Sequence, residues 1–103
     1  MKFKKENVYI LKRKNHETIK QLISARTFEY KGHKFNLQGD SKNGYSISDN
    51  RTGVLIGIYF DKLKDIEKYY SKLDILIDWE SKKTYNYMHL IDTFEKARIE
   101  EEY

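Results

Sequence analysis

The stretch that decides the fold runs from residue 27 to residue 38: Thr27-Phe28-Glu29-Tyr30, then Lys31-Gly32-His33, then Lys34-Phe35-Asn36-Leu37-Gln38. Large apolar side chains alternate with polar ones on both sides of the central Lys-Gly-His segment. Successive side chains of a strand point to opposite faces of a sheet, so this alternation predicts two strands with one buried face. Because glycine tolerates the backbone angles of a tight turn, the whole stretch predicts a β-hairpin.

The residues that follow this hairpin continue the strand pattern. A polar loop over 39–44 ends in Asn-Gly, a turn dipeptide, and residues 45–49 alternate again. A second turn over 50–53 precedes the apolar run 54–60. A run so uniformly apolar predicts a central strand that is covered on both faces. Gly57, in its middle, predicts a bulge or a close crossing by another element.

The residues before the hairpin predict one strand and one helix. Residues 8–11 are apolar and rich in strand formers. Asn15 is a suitable helix cap, and the apolar side chains Ile19, Leu22 and Ile23 then follow at helical spacing. This pattern predicts a short amphipathic helix that ends near Arg26.

The C-terminal half predicts two longer helices. Asp61 is the expected cap of the first, whose apolar residues recur in steps of three and four from residue 63 to residue 77. A polar break over 81–84 separates it from a second apolar stripe over 87–94. The two helices are expected to form a hairpin.

These elements predict an α+β fold, an antiparallel β-meander of four to five strands with a short N-terminal helix and a C-terminal pair of helices. The 103 residues are typical of one domain. No repeat or linker divides the chain, so we expect a single domain over residues 1–103.

Composition excludes several kinds of site. The chain has no Cys, and therefore no disulfide, no thiolate nucleophile and no zinc–thiolate site. Its histidines, His16, His33 and His89, lack the i,i+4 spacing of a helical metal pair. The sequence also lacks a Gly-rich phosphate loop and a nucleophile elbow. We therefore expect no cofactor, no metal and no enzymatic activity.

Two groups of carboxylates could support catalysis, the pair Asp61 and Asp65, one turn apart, and a cluster near Trp79. The members of the cluster are Asp74, Asp78 and Glu80. Two carboxylates held close together can act as acid and base, or can bind a divalent cation. Lysines alternate with acidic residues along this helix, however, and this favours ordinary surface ion pairs.

Charge is unevenly distributed along the chain. Residues 1–53 carry 12 basic and 5 acidic side chains, and residues 54–103 carry 8 basic and 11 acidic ones. A basic half is typical of a protein that contacts nucleic acid or an acidic protein surface. The candidates for a nucleic-acid contact are Lys12, Arg13, Lys14, Lys20 and Arg26. Basic residues with an aromatic neighbour, as here with Tyr9, can bind phosphates and stack on bases.

Aromatic residues are the other unusual feature, with nine Tyr, five Phe and one Trp. Helical phase directs Tyr70 and Tyr87 inward and leaves Tyr69, Trp79 and Tyr85 for other contacts. Tyr and Trp are enriched at protein interfaces, so these three are candidate anchors for a partner. Asp74 and Asp78 lie beside them and complete the candidate partner site. Filling of the core is the alternative role for the same rings.

Two segments, 27–32 and 44–53, are similar to those of a known group of proteins. They contain an aromatic hairpin, the sequence Gly-Tyr-Ser-Ile-Ser-Asp, and Thr-Gly before an apolar strand. In these segments the chain resembles small uncharacterised accessory proteins of phages, plasmids and conjugative elements of Gram-positive bacteria. The resemblance implies a non-enzymatic inhibitor of a host defence protein, such as an anti-CRISPR protein. It further implies that the partner is a CRISPR effector nuclease or its nucleoprotein complex, in the cytoplasm of the bacterial host and away from membranes. A small nucleic-acid-binding module is the alternative function.

Overall fold

The computed structural model describes residues 2–100, apart from the side chain of Ile58. Within this range the chain forms six strands, one 3-10 helix and two α-helices. The strands are β1 (Lys4–Lys14), β2 (Glu17–Tyr30), β3 (His33–Asp40), β4 (Gly44–Asp49), β5 (Leu55–Phe60) and β6 (Arg98–Ile99). The 3-10 helix is Leu63–Tyr69, and the α-helices are α1 (Tyr70–Ser81) and α2 (Tyr85–Lys96).

The sheet follows the chain order. Strands β1 to β5 lie side by side, each antiparallel to the next, and β6 pairs in parallel with β2. Two tight turns fix the register of the first three strands. Asn15 and His16 join β1 to β2, and Lys31 and Gly32 join β2 to β3, all four with positive φ. Two successive left-handed residues form the turn whose twist matches that of a β-hairpin.

The predicted N-terminal helix is wrong, and so is the strand count of four to five. Residues 17–30 form the single long strand β2, which pairs with β1 over eleven consecutive positions from Lys14–Glu17 to Lys4–Thr27. Asn15, the expected helix cap, is the first residue of the β1–β2 turn instead. The apolar residues at 19 and 23 fit a period of two as well as a helical one. Pairing with β1 therefore decides between the two structures.

The predicted central strand, 54–60, also differs from the structure. Residues 55–60 form β5, which ends the β1–β5 row and pairs with β4. Tyr59, at a register shift with φ of 58°, is 80% exposed. Gly57 lies at a close crossing, one of the two alternatives that the sequence predicts there, because a Cβ at this position would lie 2.8 Å from the ring of Tyr69.

The core lies between the sheet and the helices. Register places Phe28 opposite Phe35, and Leu37 opposite Ile47, on one face of the sheet. These side chains form one buried cluster with Leu73 of α1, Tyr87 of α2 and others. The cluster fixes both helices against the strands. No helix within residues 2–100 is long and apolar enough to span a bilayer.

Candidate functional site

A buried polar network joins the sheet to both α-helices, with Asp49 at its centre. Asp49 is the last residue of β4 and has no solvent exposure. Its carboxylate accepts hydrogen bonds from the hydroxyl of Thr52 at 2.7 Å and from the phenol of Tyr87 at 3.0 Å. Nε2 of His33 lies 2.7 Å from the same carboxylate. Three partners therefore satisfy the charge of a carboxylate that water does not reach.

His33 bridges two carboxylates at the start of β3. Nε2 faces Asp49, and Nδ1 makes a short contact with Glu80, near the end of α1. When both carboxylates are ionised, both ring nitrogens must carry protons to donate to them, so this geometry favours the imidazolium form. Glu80 also accepts from the guanidinium of Arg51 at 3.0 Å. The chain of contacts thus runs from α2 through β4 and β3 to α1.

The environment shifts three pKa values in this network. Burial alone would lower the pKa of His33, but the hydrogen bond to Asp49 and the charges of Asp49 and Glu80 outweigh it and raise that pKa. Burial would raise the pKa of Asp49, but hydrogen bonds from His33 and Thr52 hold it below its usual value. Burial, together with the Asp49 charge, raises the pKa of Tyr87 far above its usual value. The charged forms of His33 and Asp49 therefore stabilise each other.

This arrangement suits a structural role. A general base needs a nitrogen lone pair that reaches the substrate, whereas both nitrogens of His33 face protein carboxylates. We infer that the network fastens the end of α1 and the start of α2 to the sheet.

The acidic residues near Trp79 do not come together. Asp74 pairs with Lys31 at 2.9 Å, and Asp78 pairs with Lys82 at 3.1 Å. Glu80 is bound to His33 and Arg51. Within the described part of the chain, no three His, Cys, Asp or Glu side chains are grouped as metal ligands.

The buried network was not predicted from the sequence, although the strand pattern contains a signal for it. Residues 45, 47 and 49 share one phase of the strand, and residues 33, 35 and 37 share another. The phase that buries Phe35 and Ile47 therefore also buries His33 and Asp49. A His and an Asp in the buried phase of neighbouring strands predict a pair.

The three candidate aromatic anchors have different surroundings. Tyr69 packs over Gly57 and lies 5.3 Å from the ring of Phe60, centroid to centroid. Trp79 is partly buried against the core. Tyr85 is 82% exposed at the start of α2. Of the three, Tyr85 alone presents most of its ring to solvent.

Tyr85 belongs to an exposed stripe on α2, which also contains Met88 and His89. The ring of Tyr85 stacks on that of His89, with centroids 6.1 Å apart and planes 9° from parallel. Met88 is 47% exposed on the same side, three residues after Tyr85. We call these three residues the α2 stripe. It combines an aromatic ring, an imidazole and a thioether, side chains that are common in protein interfaces.

Three of the five basic candidates are exposed cations at the end of the β1–β2 hairpin. Lys12 and Arg13 are exposed there, and Arg13 donates to the hydroxyl of Thr18 at 3.1 Å. Lys14, also exposed, pairs with Glu100 at 2.7 Å. These three residues form one group at the hairpin end.

The other two basic candidates have contacts inside the fold. Lys20 donates to the main-chain carbonyl of Phe94 at 3.2 Å, at the C-terminal end of α2. Arg26 lies over the rings of Phe3 and Tyr45, at 5.5 and 5.6 Å from their centroids. Arg26 pairs in register with Lys5, six positions along β1 from the partner of Lys20. The last pair of the hairpin, Lys14 and Glu17, is nine positions from Arg26, so at about 3.3 Å per residue Arg26 lies roughly 30 Å from the hairpin end.

Comparison with protein-family models, with curated proteins and with solved structures found no match to this chain.

Proposed function

We propose that this chain is a non-enzymatic binding protein of a mobile genetic element, which inhibits a host defence protein by occluding its surface through the α2 stripe. The observation that carries the proposal is the exposure of Tyr85 at the start of a helix that the core and the polar network hold in place. A large ring on a rigid helix is an effective anchor, because little conformational freedom is lost when it binds.

The rigidity of the anchor has a local cause. Thr84 caps α2, since its hydroxyl accepts from the backbone N–H of Tyr87 at 3.3 Å. Tyr87 points inward to Asp49. Tyr85 lies two residues earlier, on the other side of the same turn, and points outward. One turn of helix thus holds a fixed tyrosine and an exposed one.

The type of partner is proposed from the resemblance of residues 27–53 to accessory proteins of Gram-positive mobile elements. Such small single-domain proteins often block host defences, and a CRISPR effector nuclease is the partner that we propose. The buried network supports a binding role, because His33 offers no available base.

A binding and inhibition assay tests this proposal. The probe is a guide-loaded Cas9-type nuclease from a Gram-positive bacterium, and the measurements are its affinity for the chain and its cleavage of target DNA. We expect Tyr85→Ala to raise the Kd about thirtyfold, the effect of losing a hot-spot anchor of about 2 kcal/mol. Tyr59→Ala is the matched control, because it removes an equally exposed tyrosine from β5.

Two outcomes contradict different parts of the proposal. Equal affinity of wild type and Tyr85→Ala would show that the α2 stripe is not the contact. If the wild-type chain neither bound nor inhibited such nucleases, the proposed partner would be wrong.

A further inference from the structure

The end of the β1–β2 hairpin is a second exposed surface, distinct from the α2 stripe. Six consecutive residues there are exposed, from Lys12 through the turn at Asn15 and His16 to Glu17. We call residues 12–17 the ribbon end. Its turn residues both adopt the left-handed conformation of a tight hairpin turn, so the two strands remain paired up to residues 14 and 17.

The ribbon end carries more positive than negative charge. This segment contains three basic side chains, Lys12, Arg13 and Lys14, and one acidic side chain, Glu17. Glu17 is bound by Arg98 of β6, through two contacts of 3.0 and 3.1 Å, so its charge is compensated from outside the ribbon end. Among residues 2–100, Lys12 and Arg13 form no ion pair. Lys12 interacts with the charge of Glu100 only at longer range, and Arg13 donates to a neutral hydroxyl, that of Thr18, so both cations can still bind an external anion.

We propose that the ribbon end binds duplex DNA through its phosphates, with Lys12 and Arg13 as the contacting cations. A two-stranded ribbon fits the major groove of B-DNA, which is about 12 Å wide. Lysine and arginine at such a ribbon neutralise phosphates and release counterions, which provides affinity without reading the sequence.

The surroundings favour a duplex over a single strand. Sites for single strands combine cations with a row of aromatic rings on which bases stack. The ammonium group of Lys20 already lies over Tyr9, at 5.7 Å from the ring centroid. His16 is the one ring at the ribbon end itself.

Glu100 competes for the third cation of this surface. Its backbone N–H donates to the carbonyl of Lys20 at 2.9 Å, and Oε1 pairs with Lys14. Its other oxygen, Oε2, is buried without a hydrogen-bond partner among the described residues. A carboxylate held through one oxygen is displaceable by a phosphate, and its removal would make Lys14 a third contact.

Fluorescence anisotropy with the full chain and a labelled 20-base-pair duplex tests this inference at several salt concentrations. We expect binding at 50 mM salt that weakens as salt rises. Lys12→Ala combined with Arg13→Ala should weaken it at least about tenfold and reduce the salt slope by about 1.8, since each phosphate contact contributes about 0.9. Glu100→Gln should tighten it severalfold and steepen the slope.

The matched control is Lys62→Ala combined with Lys64→Ala, which removes the same charge from exposed positions at the 3-10 helix. If this control lost as much DNA affinity as the variant with Lys12→Ala and Arg13→Ala, net charge alone would drive binding and the proposal would be overturned. The proposal would also be overturned if the chain did not bind the duplex at 50 mM salt, if it bound a single strand more tightly than the duplex, or if polyglutamate competed as well as unlabelled duplex. Tyr85→Ala should bind DNA as the wild type does, so failure here is separable from failure of the proposed function.

Discussion

The phenol of Tyr87 and the carboxylate of Asp49 meet over 3.0 Å at a point that solvent does not reach. This hydrogen bond joins the first turn of α2 to the end of β4. It lies next to the exposed Tyr85, so the position of the candidate anchor depends on a bond made inside the protein.

Removal of the Tyr87 hydroxyl tests how much this bond stabilises the fold. Tyr87→Phe keeps the ring and removes one of the donors to Asp49. We expect the free energy of unfolding to fall by about 1–2 kcal/mol, because a buried charged acceptor loses a partner but keeps two others. Urea unfolding measures the change. Tyr85→Phe, at an exposed hydroxyl, should change stability by less than about 0.5 kcal/mol, and an equal loss in both variants would contradict the assignment.

Stability should depend on pH through His33. Its pKa is raised in the folded state, because the hydrogen bond to Asp49 and the charges of Asp49 and Glu80 outweigh the opposing effect of burial. The contribution of His33 is therefore fully present below the unfolded value of about 6.5 and is lost as pH rises through the higher folded pKa. Thermal midpoints of the wild type should fall over that interval. The thermal midpoint of His33→Gln should change less with pH over the same interval. If the midpoints of the two proteins fell in parallel, the role given to His33 would be rejected.

Asp49 should control the titration of His33. Asp49→Asn removes the charge that faces Nε2 and replaces one accepting oxygen by an amide donor, so we expect a loss of about 3 kcal/mol in unfolding free energy. The His33 pKa, followed by its ring proton resonance in NMR, should be lower than in the wild type. Asp92→Asn, at an exposed pair with Lys96, is the control and should leave both quantities nearly unchanged. An unaltered His33 titration in Asp49→Asn would contradict the coupling.

Gly57 and Tyr69 should show strong energetic coupling. A methyl group at residue 57 would lie 2.8 Å from Cδ1 of Tyr69, so Gly57→Ala must displace a ring that also packs on Phe60. We expect a loss of about 1–3 kcal/mol in the wild-type background. In a Tyr69→Ala background the same substitution should cost little. A double-mutant cycle in urea measures the coupling, and additive losses would show that the two groups do not collide.

Thr84 should stabilise α2 as its cap. Thr84→Ala removes the hydroxyl that accepts from the N–H of Tyr87, and we expect a loss of about 1 kcal/mol. Thr84→Ser keeps the oxygen and should retain most of the stability. Thermal unfolding compares the variants, and equal effects of Ala and Ser would point to packing of the methyl group instead.

Local patterns predicted the part of the fold that neighbouring residues determine. The turn at Lys31 and Gly32 and the alternation around it predict the β2–β3 hairpin, because strand phase and turn chemistry are both local. The helix predicted over residues 15–26 was wrong. Ile19 and Ile23 fit both a helical period and the period of two of a strand, and only pairing with β1 decides between them.

The candidate sites required three-dimensional information for the same reason. Helical phase placed Tyr85 and Tyr69 alike outside the core, but the absence of a side chain at Gly57 gives Tyr69 a place to pack. The five basic candidates are close in sequence, yet Arg26 is distant along β2 and lies over two rings. Which charges are compensated depends on Arg98 and Glu100, whose positions no nearby sequence indicates.

The parallel pairing of β6 with β2 has a consequence for the order of assembly. Each of the first five strands meets its partner soon after it leaves the ribosome, since neighbours in the sheet are neighbours in the chain. Arg98 and Glu17, by contrast, are 81 residues apart, so their ion pair forms only after residue 98 has been synthesised. A nascent chain therefore leaves this stretch of β2, at Ile19 and Lys20, without its β6 partner until that late step, and an unpaired strand edge favours premature association between growing chains.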